Sequence, residues 1–251
     1  VILVEDLYKS FDSQQVLRGV NLFIEKGEVM ALMGRSGYGK TVLLRNMMGL
    51  LRPDRGRVLI DGMDIHRIKG AQKKAIKEKF GVLFQGGALF DSLTIFENVA
   101  FPLREKTKMK ESEIRDRVMN ELEQVGLLGS EDKYPAEISG GMRKRVALAR
   151  AIIMNPEIVF FDEPTTGLDP ITAKSIHQLI ASTHRRLKFT AVLVTHDVPE
   201  IFSIVDRYAL LHDGVIVSVG TPDEAFESDN PIVREFLYKA TQYPAGAGGE
   251  R

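Results

Sequence analysis

Val29-Met30-Ala31-Leu32-Met33-Gly34-Arg35-Ser36-Gly37-Tyr38-Gly39-Lys40-Thr41-Val42-Leu43-Leu44 is the stretch that decides the fold. Five apolar residues make a short run of the kind that fills a buried strand, and a glycine-rich turn follows at once. Val42, Leu43, Leu44, Met47, Met48 and Leu51 then give the pattern of a buried helix over residues 40–51. A strand, then G-x-x-x-x-G-K-[ST], then a helix is the arrangement in which backbone N–H groups wrap phosphate oxygens. Gly34, Gly37 and Gly39 permit backbone angles and a close approach that a Cβ would block. The helix N-terminus adds partial positive charge where the phosphate would sit. Lys40 would reach the β- and γ-phosphates of a nucleotide, and the Thr41 hydroxyl would bind Mg²⁺. The binding stretch is taken as Gly34, Arg35, Ser36, Gly37, Tyr38, Gly39, Lys40, Thr41 and Val42. A glycine-rich turn with an exposed lysine is the plainer alternative, and the flanking strand and helix argue against it.

Outward from this core, the first sixty residues read as strands joined by turns: Val1 to Val4, Val16 to Ile24, Val29 to Met33, and a strand closing on the Asp61-Gly62 turn. From about Gln85 to Pro156 the pattern is helical, with Ile114, Val118, Leu122 and Val125 in one apolar stripe. A helix after Ser139 stops near Asn155-Pro156. Strand Ile158–Phe161, helix 171–187, strand Thr190–Thr195, helix 198–204 and strands near 207–211 and 215–219 then alternate. That alternation predicts a mainly parallel sheet with helices on both faces. Residues 1–240 are expected to form one domain, with a helical part over about 86–156, and the glycine-rich segment 241–251 is expected to be a flexible tail.

Further motifs carry chemistry. Asp162 follows Ile158, Val159, Phe160 and Phe161 as a carboxylate at the exit of a buried strand, placed to hold Mg²⁺ directly or through water. Glu163, one residue on, points differently; on their own two such acids also suit a helix cap or a solvated turn. Ser139-Gly140-Gly141 opens a helix and offers N–H groups and a hydroxyl to an anion, although a simple cap describes it equally well. Gln85 stands where the sheet gives way to the helical region, with an amide able to touch Mg²⁺ or water. His196 ends the apolar run Val192-Leu193-Val194-Thr195, where a satisfied core histidine is the common outcome. His66, His177, His184 and His212 match no site motif and read as structural or surface residues.

The composition narrows the class. Across 251 residues, 34 Lys+Arg balance 34 Asp+Glu, which argues against a broad basic surface for nucleic acid. There is no cysteine, so disulfides and thiolate metal sites are excluded. No apolar run approaches the ~20 residues of a membrane helix, and the opening residues lack the basic, apolar, small-residue pattern, so no leader is expected. A soluble subunit is expected, reaching a membrane only through a partner.

Taken in order, Gly34–Thr41, Gln85, Ser139–Gly141, Phe160-Phe161-Asp162-Glu163 and Thr195-His196-Asp197 resemble the nucleotide-binding subunit of ATP-binding cassette (ABC) transporters over nearly the whole chain. The resemblance implies an α/β P-loop NTPase fold with an N-terminal antiparallel β subdomain and an inserted helical subdomain. It implies an ATPase using ATP and Mg²⁺, with Thr41, Gln85 and Asp162 at the metal. Glu163 would be the base that orients water, and His196 the switch that touches γ-phosphate and Glu163. Phe11 matches the adenine-stacking aromatic, with Val16 on the base edge, although Phe11 suits a core position equally. Pro164-Thr165-Thr166-Gly167-Leu168-Asp169 matches the D-loop (Gly167, Leu168, Asp169) at the subunit interface. Ser139, Gly140, Gly141 and Met142 would meet ATP held by a partner, so a homodimer with two shared sites is implied. The family's usual residue at position 142 is glutamine, and methionine forfeits that polar contact.

Within the family, Phe84-Gln85-Gly86-Gly87-Ala88-Leu89-Phe90 and Gly141-Met142-Arg143-Lys144-Arg145 resemble the ATPases of the Mla phospholipid-transport branch. That branch implies an MlaE-type permease, an MlaD-type MCE lipid-binding protein and an MlaB-type STAS protein as partners. It also implies a place on the cytoplasmic face of the inner membrane, held peripherally by the permease. Leu89, Phe90 and Phe96 would receive the permease, or simply pack the helical region. An importer subunit for amino acids or other polar solutes shares every ATPase motif. A soluble non-transport ABC ATPase fits less well, because the interval from Lys40 to Ser139 leaves no room for a long coiled coil and one cassette is present. Glu163 and His196 argue against a module that binds without turnover.

Overall fold

The computed structural model describes residues 1–198 and 200–242. The chain opens with β1 (Ile2–Phe11), β2 (Gln14–Ile24), β3 (Val29–Met33), α1 (Lys40–Met47), β4 (Arg55–Ile60) and β5 (Met63–Asp64). Next come α2 (Gly70–Glu78), β6 (Phe80–Leu83), α3 (Ile95–Lys106), α4 (Glu111–Gln124), α5 (Gly140–Ile152) and β7 (Ile158–Asp162). The last part holds α6 (Pro170–Leu187), β8 (Thr190–Val194), β9 (Arg207–His212), β10 (Val215–Gly220), α7 (Pro222–Glu227) and α8 (Pro231–Gln242).

Two sheets result. The first, of order β2-β1-β4-β5, is antiparallel throughout. On β2, Leu17, Val20, Leu22 and Ile24 face inward while Arg18, Asn21 and Phe23 face out, the alternation of a sheet wet on one side. Asp61 and Gly62, both at positive φ, make the two-residue turn that lets Ile60 pair with Met63. The second sheet, of order β10-β9-β3-β8-β7-β6, is parallel from β9 to β6, with β10 antiparallel at one edge. Every residue of β3, β7 and β8 is buried, as central parallel strands covered on both faces require.

Three apolar clusters hold these layers. Ile158 and Phe160 of β7 point to the face shared with the antiparallel sheet and with Leu43, Leu44 and Met47 of α1. Val159 and Phe161 point the other way, toward Leu148 and Ile152 of α5 and Ile176 and Ile180 of α6. Val99, Leu103, Ile114, Val118, Leu122 and Val146 form the third cluster, among α3, α4 and α5. Helix α5 thus joins the parallel sheet to the helical region, with Leu148 on one side and Val146 and Ala149 on the other.

The α/β architecture matches expectation, with local differences. The first strand runs on to Phe11, because its second half pairs with β2 across the hairpin. The helix expected over 198–204 is a single 3₁₀ turn at Glu200–Ser203. Helix α8 continues to Gln242, and the rest of the segment 241–251, expected to be a flexible tail, lies outside the described residues. Among the described residues no helix is long and apolar enough to cross a membrane.

Candidate nucleotide site

Four adjacent parallel strands end level with one another, and each delivers a motif there. Leu32 of β3 and Asp162 of β7 both pair with Val194 of β8, and Leu83 of β6 pairs with Phe161. Just beyond those ends come Gly34, His196, Glu163 and Gln85. The carboxyl end of an open parallel sheet is where such folds bind ligands.

The phosphate loop is shaped by its glycines. A Cβ on Gly34 (φ 148°) would lie 2.3 Å from the main-chain oxygen of Leu211 on β9. One on Gly39 (φ 97°) would lie 2.8 Å from Val16 Cγ1, which places Val16 against the loop. No side chain caps the N-terminus of α1 and no acid sits in its first turn, so that end is left to an incoming anion. Lys40 is buried, and its Nζ donates to the carbonyls of Gly34 (2.8 Å) and Arg35 (3.1 Å). Burial pushes the Lys40 amine down, against the pull of the Glu163 and Asp162 charges. Tyr38 sets its ring edge-on to His212, 5.1 Å between centroids. Val42 packs on the first core, while Gly34, Arg35 and Ser36 line a cavity of about 320 Å³ with His196, His212 and α8.

Asp162, also buried, accepts from Thr41 Oγ1 at 3.0 Å. Burial raises its carboxyl, opposed by the Thr41 hydrogen bond and the Arg45 and Lys40 charges. Two hard oxygen donors side by side, one a desolvated carboxylate, suit a divalent cation such as Mg²⁺ that also keeps phosphate and water ligands. Glu163 turns out of the strand at φ 48°, an uncommon angle for a residue with a Cβ. Its Oε2 accepts from Thr166 Oγ1 (2.7 Å) and lies 3.3 Å from Nδ1 of the half-exposed His196. The His196 hydrogen bond, with Thr166 adding to it, holds Glu163 at about 2 against its burial. The same bond raises His196. Asp197 accepts from Thr165 Oγ1 and receives no hydrogen bond from buried His177, whose Nε2 stays 3.8 Å away.

The remaining predicted residues lie around this cluster. Gln85 is exposed in the turn after β6. Ser139 caps α5 by accepting from the Met142 N–H (3.2 Å), and Met142 leans on the third core. Backbone of the signature abuts the D-loop: a Cβ on Gly140 would be 3.3 Å from Leu168, and one on Gly141 would be 2.6 Å from Thr172. Gly167 sits at φ 83°, and Asp169 caps α6 by accepting from the Thr172 N–H. Phe11 is half-exposed at the hairpin end of β1, outside the apolar core, with Lys9 Nζ 5.5 Å from its ring centroid. The structure therefore groups Lys40, Thr41, Asp162, Glu163 and His196 at one place and the signature with the D-loop at another. Sequence reasoning gave no individual role to Thr165, Thr166 or Asp197, although the first two follow the acidic pair after Pro164 and Asp197 follows His196, each within a recognised motif.

Residues 17–166 match the family model described as ABC transporter, and the chain belongs to that family. It is an ABC transporter ATPase subunit, hydrolysing ATP in a reaction coupled to transport. Among its relatives, a probable ribonucleotide transport ATP-binding protein mkl of Mycobacterium leprae is 46% identical over 250 residues, covering 100% of this chain and 72% of that protein. The intermembrane phospholipid transport system ATP-binding protein MlaF of Haemophilus influenzae is 41% identical, covering 94% of this chain and 90% of its own. The dimeric ATP-binding cassette MJ0796 bound to ADP and Pi superposes with a TM-score of 0.80 at 32% identity, covering 88% of this chain and 99% of that one. The cbiO1 subunit of Clostridium perfringens superposes at 0.82 with 31% identity, covering 96% of each.

Proposed function

We propose that the chain powers phospholipid movement across or between membranes, working as an ATP-bridged homodimer beneath an MlaE-type permease, beside an MlaD-type MCE protein and an MlaB-type STAS protein. The observation that carries the ATPase half is the meeting of Lys40, Thr41, Asp162, Glu163 and His196 at level strand ends. The lipid half rests on likeness to MlaF over nearly the full length of both chains. The site would then lie peripherally on the cytoplasmic face of the inner membrane.

Each residue has a defined task in this reading. Gly34–Val42 cradle the phosphates, Phe11 and Val16 hold the base, and Lys40 neutralises charge on the β- and γ-phosphates. Thr41, Asp162 and Gln85 would hold Mg²⁺, which supplies further charge neutralisation when bound. Glu163 at about 2 is ionised but a poor proton acceptor while His196 binds it. With ATP bound, His196 would touch the γ-phosphate as well as Glu163, and Glu163 would gain a negative neighbour. Its proton affinity then rises as water is placed for attack. Ser139–Met142 of one protomer, beside its D-loop residues Gly167–Asp169, would close over ATP on its partner.

Lipid mass spectrometry of the membrane complex that co-purifies with the tagged chain tests the cargo. Phospholipid enriched over bulk membrane beside an MCE-type subunit is the expected result. A complex with a solute-binding protein, or one carrying ribonucleotide and no enriched lipid, would overturn the lipid assignment and leave the ATPase intact.

A further inference from the structure

The signature helix carries a run of cations that the ATPase reaction as described does not use. Arg143, Lys144, Arg145 and Arg150 of α5 all donate to main-chain carbonyls: Arg143 to Ile138 (2.9 Å), Arg145 to Val125 (2.8 Å), Arg150 to Gly87 (2.7 Å) and Lys144 to Gln85. Two of the four therefore grip the same short turn, Gln85–Gly87. Lys144 is 7% exposed, and burial pushes its ammonium down against the pull of the Glu163 charge while it donates to the Gln85 carbonyl. Arg150 also holds its guanidinium 5.8 Å from the ring centroid of Phe90, three residues beyond Gly87. From the other side, Asn98 of α3 bonds both the N–H and the carbonyl of Phe90.

We propose that Lys144 and Arg150 are positioning residues that lock the Gln85–Gly87 turn to the signature helix, so that presentation of the Gln85 amide to the nucleotide site depends on Lys144. A charged donor to a carbonyl is among the stronger hydrogen bonds a protein makes, and it strengthens further where water is partly excluded. Two such bonds, to carbonyls two residues apart, fix both position and rotation of the turn. Any displacement of α5, whose first residues are the signature, is therefore carried into Gln85 without passing through a flexible link. The two grips also differ in consequence. Lys144 holds the residue whose side chain would enter the site, and Arg150 holds the segment leading to Phe90. This inference rests on the assignment of Gln85 to the nucleotide site made above.

A double-mutant cycle on ATP turnover by the full chain, with Mg²⁺ in excess, separates the possibilities. Lys144→Met is expected to lower kcat about tenfold while KM for ATP stays within about twofold, and Lys144→Arg is expected to recover most of the loss. In a Gln85→Ala background the same Lys144→Met change is expected to cost less than about twofold, because the side chain it positions is already gone. Losses that multiply in the double variant would overturn the inference and leave Gln85 in the site. Wild-type kcat in Gln85→Ala alone would overturn both. Thermal unfolding and binding of a fluorescent ATP analogue report whether each variant is folded. Should Lys144→Met fail that test, Lys144→Gln, which keeps a neutral donor, takes its place in the same cycle and must show the same non-additivity.

Discussion

Glu163 and His196 hold each other in opposite charge states, and the signs of their shifts set a pH window. His196, raised above 6.5, contributes stability that is complete below 6.5 and disappears as pH rises through its folded value. Glu163, lowered from 4.5 to about 2, contributes stability that is complete above 4.5 and disappears as pH falls toward 2. Their pair is thus strongest between about 4.5 and 6.5. In an NMR titration, His196 should titrate above 6.5 in the native chain and move back toward 6.5 in Glu163→Gln; an unchanged midpoint would remove Glu163 as the cause. The same substitution should retain ATP binding while turnover falls at least ~10²-fold, read from paired binding and ATPase assays. Turnover near the native rate would take Glu163 out of the role of base. At this scale the sequence was informative where a polar residue ended an apolar run, as Asp162 and His196 do. Lys144 gave no such signal, because a lysine within a helical charge pattern reads as solvated until the carbonyl it meets, 59 residues away, is known.

Among the elements, α3 shows how a loop is held without regular structure. Asn98 is fully buried, and its amide donates to the carbonyls of Phe90, Leu93 and Thr94 while its oxygen accepts from the Phe90 N–H. Asn98→Ala takes the side-chain partner from the Leu93 carbonyl and the Phe90 N–H, while the Phe90 and Thr94 carbonyls keep backbone donors, so it should destabilise the fold by about 1–2 kcal/mol. Urea unfolding would measure that loss, and hydrogen exchange should rise first in residues 88–94; an effect under about 0.5 kcal/mol would show that the loop finds other partners. Strands β3, β7 and β8 were legible as unbroken apolar runs. Helix α2 and strand β6 were not, since Gly70–Glu78 carries a single buried residue, Ile76, and Phe80–Leu83 is only four residues long. The helix expected over 198–204 failed for a related reason: a few apolar residues near a strand end satisfy a helical period without enough length to sustain more than one turn.

For the whole molecule, the decisive fact is that the signature faces the D-loop and α6 of its own chain, while the phosphate loop lies at the ends of the sheet. In the function proposed above, a second copy would supply the missing half to each site; the solved cassette MJ0796 is a dimer. Glu163→Gln with Mg²⁺ and ATP should therefore run as a dimer by light scattering and as a monomer with ADP. A monomer under both conditions would count against two shared sites. This level was least legible from residues alone, because a serine-glycine-glycine helix cap looks the same whether its anion belongs to its own chain or to another.

Gly34 has a consequence for heredity. The obstacle to any side chain there is an oxygen of the β9 main chain, which every amino acid at position 211 would carry equally. No change of side chain at position 211 can clear it, so a lineage that loses this glycine is expected to regain the loop by true reversion. At Gly141 the obstacle is the methyl of Thr172, and Thr172→Ser removes it. A suppressor screen begun from Gly141→Ala has a side chain to act on, and one begun from Gly34→Ala meets main chain.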